Sequence, residues 1–349
     1  MKILIDIGHP AHVHFFLNPI RILQKKGHEI MVTSRDKEMA IQLLNSMHIS
    51  HVPLSGMGKN GALSLLKELF LRDYRLYKVC RRFKPDVMAG IGGIFISHVG
   101  LLTSTPSLVF YDTENATLQN ALTYPFASCV LVPNCYQGRL PGKNTRYAGY
   151  HELSYLHPEY FTPDRQTAIE NGLSENGKTW VIRTVSWQAN HDFNEQGWSG
   201  TLLNKVVDKL SSTGKVLISS ESTLPQSLAK YAYRGDPTKI HHVMAFSSGF
   251  IGESATMASE CAVLGTPAIY AANTGRGYTD EQESVYGLVK NIRRLTPANI
   301  QDGLRWLQDL EPATIADAHQ KLLDNTIDVA NYIVERILHP TECSNTKVS

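Results

Sequence analysis

Three histidines, His9, His12 and His14, fall within the stretch GHPAHVHFF that follows the apolar run KILIDI. Imidazole is the side chain whose charge changes near neutral pH, so such a cluster suits proton transfer, substrate contact or metal ligation. His12 and His14, two residues apart, diverge on a helix but can converge in a loop, with His9 and Asp6 near enough to join them. No HExxH, distant CxxC or DxD pair accompanies them. On residue types alone, catalysis, metal binding and plain packing all stay open.

A second stretch reads GFIGESATMASECAVLGTPAIYAANTGRGYTDEQESVYGLV. An apolar strand ends at GES, and Ser254 and Thr256 open a helix of small residues. First-turn N–H groups and the helix dipole make such an end an anion site, although Ser254 equally suits the N-cap role. Glu260 lies nearly two turns further on, where a carboxylate either accepts hydrogen bonds from a ribose diol or simply faces solvent. In VFYDTENATLQN, Asp112 and Glu114 stand at the end of a buried strand, as site acids or as the cap and first-turn acid of the next helix. Arg183, in the middle of the strand TWVIRTVSW, requires an anionic partner. Ser186 and His191 follow it in the same loop. His241 and His242 read as core or helix surface.

The elements that must position these residues alternate. KILIDI, EIMVTS, HVPL, DVMAGIG, SLVFYD and CVLVP are strands with helices between them, including one from FFLNPIRILQKKG closed by Gly27 and one from Ala62 to Phe83 that stops before Pro85. Continuous apolar strands in a repeated β-α order predict a parallel sheet covered on both faces. The segment around 151–178 reads as a linker. A second series then runs through TWVIRTVSW, KVLISS, GFIGES and PAIYA and ends in helices. The expected fold class is therefore α/β, with two Rossmann-like domains whose parallel sheets face a central cleft. The expected domains are 1–160 on the acceptor side and 161–325 binding the nucleotide sugar, with a C-terminal helix and tail, 326–349, packing back on the first. Neither GxGxxG after the first strand nor GxxxxGK[ST] is present, which removes the two commonest nucleotide-loop readings.

The chain has 349 residues, 42% of them hydrophobic and 19% charged, with a net charge of +2. That composition belongs to a folded globular protein with no general affinity for polyanions, so no nucleic-acid partner is expected. Five cysteines without a CxxC pair fit reduced thiols better than a disulfide framework. No apolar run reaches about 18 residues, and the N-terminus enters a strand without a secretory h-region. The expected location is cytoplasmic. The basic helix at 67–84, with seven Lys or Arg against two acids, either faces solvent or rests on the inner face of a membrane.

The pattern S-x5-E-x4-G-x-P, formed by Ser254, Glu260, Gly265 and Pro267, resembles the donor-binding helix of GT-B glycosyltransferases and of the non-hydrolysing UDP-GlcNAc 2-epimerases. The segment with Asp280, Glu281 and Gln282 resembles the donor-sugar segment of the lipid-II-forming GlcNAc transferases. HPAHVHFF, WVIRTVSWQANHD and GESATMASECAVLGTPAI resemble, over nearly the whole chain, the family catalogued as domain of unknown function 354. These resemblances imply a GT-B fold. They imply a donor site at Ser254, Thr256, Glu260, Gln282, Arg183, Ser186 and His191, with His12 aligned to the acceptor-facing histidine of a G-G-H loop. His9 and His14 then flank the acceptor. Glu114 matches the glutamate of the epimerase H-V-E-A-G segment, and His191 falls where the epimerases carry a functional histidine. The implied activity is metal-independent glycosyl transfer from a nucleotide-diphospho sugar, UDP-linked by the resemblance, to a sugar or lipid-linked acceptor in cell-envelope polysaccharide assembly. No cofactor is expected, and His12 serves as base with Glu114. A UDP-sugar 2-epimerase and a non-catalytic sugar-nucleotide-binding protein are the alternatives. Oligomeric state is not legible.

Overall fold

The computed structural model describes residues 1–35, 38–55, 62–185 and 198–343. By contacts the chain forms two compact units, Met1–Tyr155 joined by the segment from Ile327, and Leu156–Thr326. The first contains β1 (Lys2–Ile7), α1 (Pro10–Lys25), β2 (Glu29–Arg35), α2 (Glu38–Ser46), β3 (His51–Ser55), α3 (Ala62–Phe83), β4 (Val87–Ile91) and α4 (Ile94–Thr103). It continues through β5 (Ser107–Phe110), α5 (Thr117–Thr123), β6 (Cys129–Pro133), β7 (Asn144–Tyr147) and α6 (Leu153–Leu156), whose last residue begins the second unit. The second unit contains α7 (Arg165–Glu170), β8 (Thr179–Thr184), α8 (Gly200–Ser211), β9 (Lys215–Ser220), α9 (Ile240–Ala245) and β10 (Gly249–Gly252). It is completed by α10 (Ala255–Val263), β11 (Ala268–Ala271), α11 (Gly277–Glu281), β12 (Val289–Ile292), α12 (Pro297–Asp309) and α13 (Pro312–Asp324). The last helix, α14 (Val329–Leu338), returns to the first unit and packs on α1.

Each unit is built on one parallel sheet, ordered β3-β2-β1-β4-β5-β6-β7 in the first and β12-β11-β10-β8-β9 in the second. The inner strands are buried along nearly their whole length, as in VMAGI, SLVF and CVLVP. That is what helices on both faces demand. Chain order reverses between β1 and β4 in one sheet and between β8 and β10 in the other. Such reversals open a crevice at the carboxyl ends of the strands, because the connections leave on opposite faces.

Several details differ from the sequence reading. α1 begins at Pro10 rather than at Phe15, so His12 and His14 lie in a helix and not in a loop. Proline suits the first helical position, where its missing N–H is no loss. The His9 ring supplies the cap by accepting the Ala11 amide at 3.2 Å. Two strands escaped the periodicity, β7 (NTRY) and β12 (VKNI). Both are four-residue sheet edges, so neither carries the continuous apolar run of an inner strand. The stretch read as linker contains α7, whose cap Asp164 accepts the Thr167 amide at 2.6 Å. Finally, Cys129 of β6 and Cys343 are joined by a disulfide across 214 residues of sequence, which corrects the expectation of reduced thiols for that pair. Cys80, Cys135 and Cys261 are free thiols.

Candidate functional site

At the β1/β4 reversal, the Gly8 amide donates to Nδ1 of His12 at 3.2 Å. A nitrogen that accepts a hydrogen bond carries no proton, so the neutral ring holds its proton on Nε2. Loss of water around the ring, then the fields of His9 and His151, lower the pKa of His12 to about 3. Asp112 acts in the opposite sense and Arg72 in the same sense, more weakly. The positive end of α1 also disfavours an imidazolium there. The sequence reading casts His12 as the base; in the structure its ring is held neutral, with the proton on Nε2. Beside it, Gly92 and Gly93 turn β4 into α4 with φ of 72° and 48°. A Cβ on Gly93 would stand 2.5 Å from Cγ2 of Val109, so only glycine fits that turn.

One polar pairing here is one that sequence reasoning missed. His151, after β7, places Nδ1 3.1 Å from Oδ2 of Asp112, after β5. The His151 side chain is 8% exposed and its ring packs 4.4 Å from Phe15. Its Nε2 is buried and meets no hydrogen-bond partner among the described residues. Burial opposes the charge of Asp112, yet the field and hydrogen bond of His151, the hydroxyl of Thr113 and the field of His12 prevail, and its pKa falls to about 2. Beneath the group, Arg72 of α3 bridges both carboxylate oxygens of Asp6 at 3.0 Å, stacks 4.2 Å over Phe95, and shares Asp6 with the Thr33 hydroxyl. GYHEL carries no motif, and the polar edge strand before it hid its place at the end of a sheet.

Of the other predicted groups in this unit, His9 stands beside His12, their ring centroids 5.9 Å apart. Glu114 accepts the Gln137 amide at 3.3 Å and influences Tyr124 and Tyr136, whereas Asp112 is the carboxylate that acts on His12. His12 and Asp112 act on each other through their fields, each shifting the other's titration. His14 packs against Tyr155 at 5.3 Å, and His9 serves as the cap of α1. Among the described residues, no three His, Cys, Asp or Glu side chains converge as a metal site.

At the β8/β10 reversal of the second unit, Ser254 caps α10 by accepting the Met257 amide at 3.2 Å. The Ala255 and Thr256 amides belong to the first turn, which has no intrahelical acceptors. Thr256 is half-buried at that end. Glu260 is not a surface residue: it is 7% exposed, and its Oε1 lies 3.0 Å from Nε2 of His241 on α9. Gln282 departs from expectation, since it is fully buried and donates to the Ser259 hydroxyl at 2.8 Å. It ties the segment after α11 to α10 through its amide nitrogen, while its Oε1 is buried with no partner among the described residues. Arg183 finds its anion within the protein, in Glu221 at 2.7 Å, and also donates to the Ser219 hydroxyl. Ser186 and His191 lie outside the described residues. The ends flanking them are held by Glu253, which accepts the amides of Val185 at 3.0 Å and Trp198 at 2.9 Å. Burial raises the pKa of Glu253, with Glu221 adding to the effect and the two amides opposing it. Sequence reasoning passed over Glu253, although GES at the end of β10 was in view.

The chain belongs to the family described as protein of unknown function DUF354, which matches residues 1–282. An uncharacterized protein of Methanocaldococcus jannaschii is 23% identical over 286 residues, covering 77% of this chain and 81% of its own. Among solved structures, the UDP-GlcNAc 2-epimerase of Neisseria meningitidis bound to UDP-GlcNAc superposes with a TM-score of 0.66 at 16% identity, over 97% of this chain and 100% of its own. MurG of Acinetobacter baumannii gives 0.57 at 16% identity, over 97% and 100%. The calicheamicin glycosyltransferase CalG4 gives 0.61 at 12% identity, over 97% of both chains. The fold is the α/β GT-B fold that glycosyltransferases and UDP-GlcNAc 2-epimerases share.

Proposed function

We propose that the protein is a glycosyltransferase that moves a sugar from a nucleotide-diphospho sugar, UDP-linked, to a sugar or lipid-linked acceptor in cell-envelope polysaccharide assembly. The observation that carries this reading is the start of α10. A Ser254-capped helix of small residues opens at the reversal of a parallel sheet, where free first-turn amides receive a diphosphate. A nucleotide held there would bring its ribose toward Glu260, whose carboxylate His241 orients. Thr256 would add a hydroxyl donor. The chemistry needs no metal or cofactor in this account, since helix amides neutralise the departing diphosphate. Access to a lipid-linked acceptor would use α3, where Phe70 is 70% and Tyr74 54% exposed on a basic helix, at the cytoplasmic face of a membrane. No helix among the described residues is long and apolar enough to cross one.

One observation favours a second reading, 2-epimerisation of a UDP-sugar. The first unit places the His151 imidazole against Asp112 with His12 near by, and an epimerase must remove and return a proton at one carbon. Its product would form from donor alone, with no acceptor.

Thermal unfolding against a panel of nucleoside diphosphates and nucleotide sugars tests the donor site. A ligand that binds the folded chain raises stability by RT ln(1 + [L]/Kd), about 2.7 kcal/mol at 100 times Kd. Uridine diphosphate or UDP-GlcNAc is expected to stabilise the wild type and to do so less in Glu260→Ala. The absence of any nucleotide-dependent shift in the wild type would remove the reading.

A further inference from the structure

Burying a polar nitrogen without a partner costs on the order of 1–3 kcal/mol, so such an atom calls for an explanation. Nε2 of His151 is the case at the head of the first sheet, on a ring that is otherwise firmly placed. Phe15 packs against the ring, and Asp112 fixes the opposite nitrogen. An ionised carboxylate has no proton to give, so the shared proton belongs to Nδ1 of His151. In the neutral ring Nε2 is then a bare lone pair. His12, the neighbouring imidazole, has the reverse tautomer, because the Gly8 amide occupies its Nδ1.

We propose that His151 is the proton acceptor of this site, positioned by Asp112, and that His12 beside it is a neutral N–H donor to substrate oxygen. This rests on the glycosyl-transfer reading. As the acceptor oxygen bonds to the anomeric carbon, its proton passes to Nε2 of His151. The bond from that carbon to the diphosphate breaks, and its electron pair leaves with the nucleoside diphosphate. The proton returns to solvent after product release. Nε2 is buried in the free chain, so the acceptor must displace the side chains that cover it before the hydrogen bond closes. Asp112 is a positioning residue: it sets the tautomer of His151 and stabilises the imidazolium that forms, the division of labour found wherever a carboxylate backs a histidine base.

Two measurements on the full chain test this, and they fail separately. Nitrogen-15 spectra of histidine-labelled protein at pH 7 report which ring nitrogen is protonated, and His151→Gln and His12→Gln assign the two rings by their missing signals. The expected result is Nδ1–H for His151 and Nε2–H for His12, with Asp112→Asn admitting the Nε2–H tautomer at His151. An Nε2-protonated His151 in the wild type overturns the proposal. In parallel, UDP release from UDP-GlcNAc is followed for the same variants, beside their thermal shift with uridine diphosphate. His151→Gln should lose about 100- to 10,000-fold in turnover with the nucleotide shift intact. Turnover within threefold of wild type in His151→Gln overturns the assignment. A wild type that neither binds nor turns over the nucleotide sugar sinks the glycosyl-transfer reading, while the tautomers still decide the role of His151.

Discussion

The two strand-order reversals solve different chemical problems with the same backbone geometry. At the end of the first sheet, side chains carry the chemistry. An imidazole is held neutral, a carboxylate is held ionised, and a histidine nitrogen is left without a hydrogen-bond partner among the described residues. At the end of the second sheet, Ser254, Glu260 and Arg183 each answer to another protein group, and the Gln282 amide nitrogen does so while its oxygen does not. What remains on offer there is backbone, the first-turn amides of α10. The contrast teaches that one end gathers titratable side chains while the other offers chiefly the first-turn amides of a helix.

The largest expected effect tests whether the first end depends on its buried ion pair. Arg72 is 3% exposed and touches both oxygens of Asp6, which lies two residues before Gly8. Arg72→Ala would leave that carboxylate buried and unpaired, at about 3–5 kcal/mol. Amide hydrogen exchange resolves the outcome by unit: β1 and β4 should open far more readily, while β8 and β10 keep wild-type protection. Equal loosening of both sheets, or of neither, would break the contrast, because the first end would not then rest on a charge network of its own.

A smaller effect follows from the tautomer of His12. Its folded pKa of about 3 lies below the ordinary value of 6.5, so the unfolded chain takes up the proton first. The stability this ring contributes is complete above about pH 6.5 and is lost as pH falls toward 3. The limiting slope is about 1.4 kcal/mol per pH unit, reduced by the solvent that reaches a half-buried ring. Carboxylates, Glu253 among them, begin to titrate in the window between pH 6.5 and 4.5, but they are common to both proteins, so urea unfolding of wild type and His12→Gln isolates His12 in the difference. The difference between wild type and His12→Gln should fall toward acid. A difference curve that is flat would mean that His12 titrates alike in the folded and unfolded chain, and the first end would lose the environment that keeps its donor neutral into acid.

How much of this was legible beforehand depends on what each residue's environment writes into the sequence. Inner strands such as VMAGI and SLVF announce themselves, because burial on both faces forces continuous apolar runs. The edges NTRY and VKNI do not, and with β7 unread, nothing marked His151 as the end of a sheet. The start of α10 was readable because capping and small residues are local signals. The partners of Glu260 and Arg183 were not, since His241 and Glu221 come from other elements and pair only through the fold. The histidine loop was misread in one physical respect. Pro10 is a helix-starting signal, and taking it so would have placed His12 in the first turn of α1, where the helix dipole already argues for a neutral ring.

The smallest effect sharpens the second half of the comparison, because it separates capping from anion binding at one residue. Ser254 accepts the Met257 amide, and its hydroxyl still has a proton to donate. Ser254→Ala removes the cap and should cost about 0.5–2 kcal/mol of stability. Ser254→Asp restores the cap, and its charge interacts favourably with the start of α10. The same charge repels a diphosphate seated on the Ala255 and Thr256 amides. Thermal unfolding with and without uridine diphosphate should therefore rank the free proteins wild type close to Ser254→Asp and above Ser254→Ala. The nucleotide-induced shift should instead rank wild type first and Ser254→Asp last. If Ser254→Asp keeps the full shift, the diphosphate does not lie at the start of α10, and this end of the second sheet is a capped helix and nothing more.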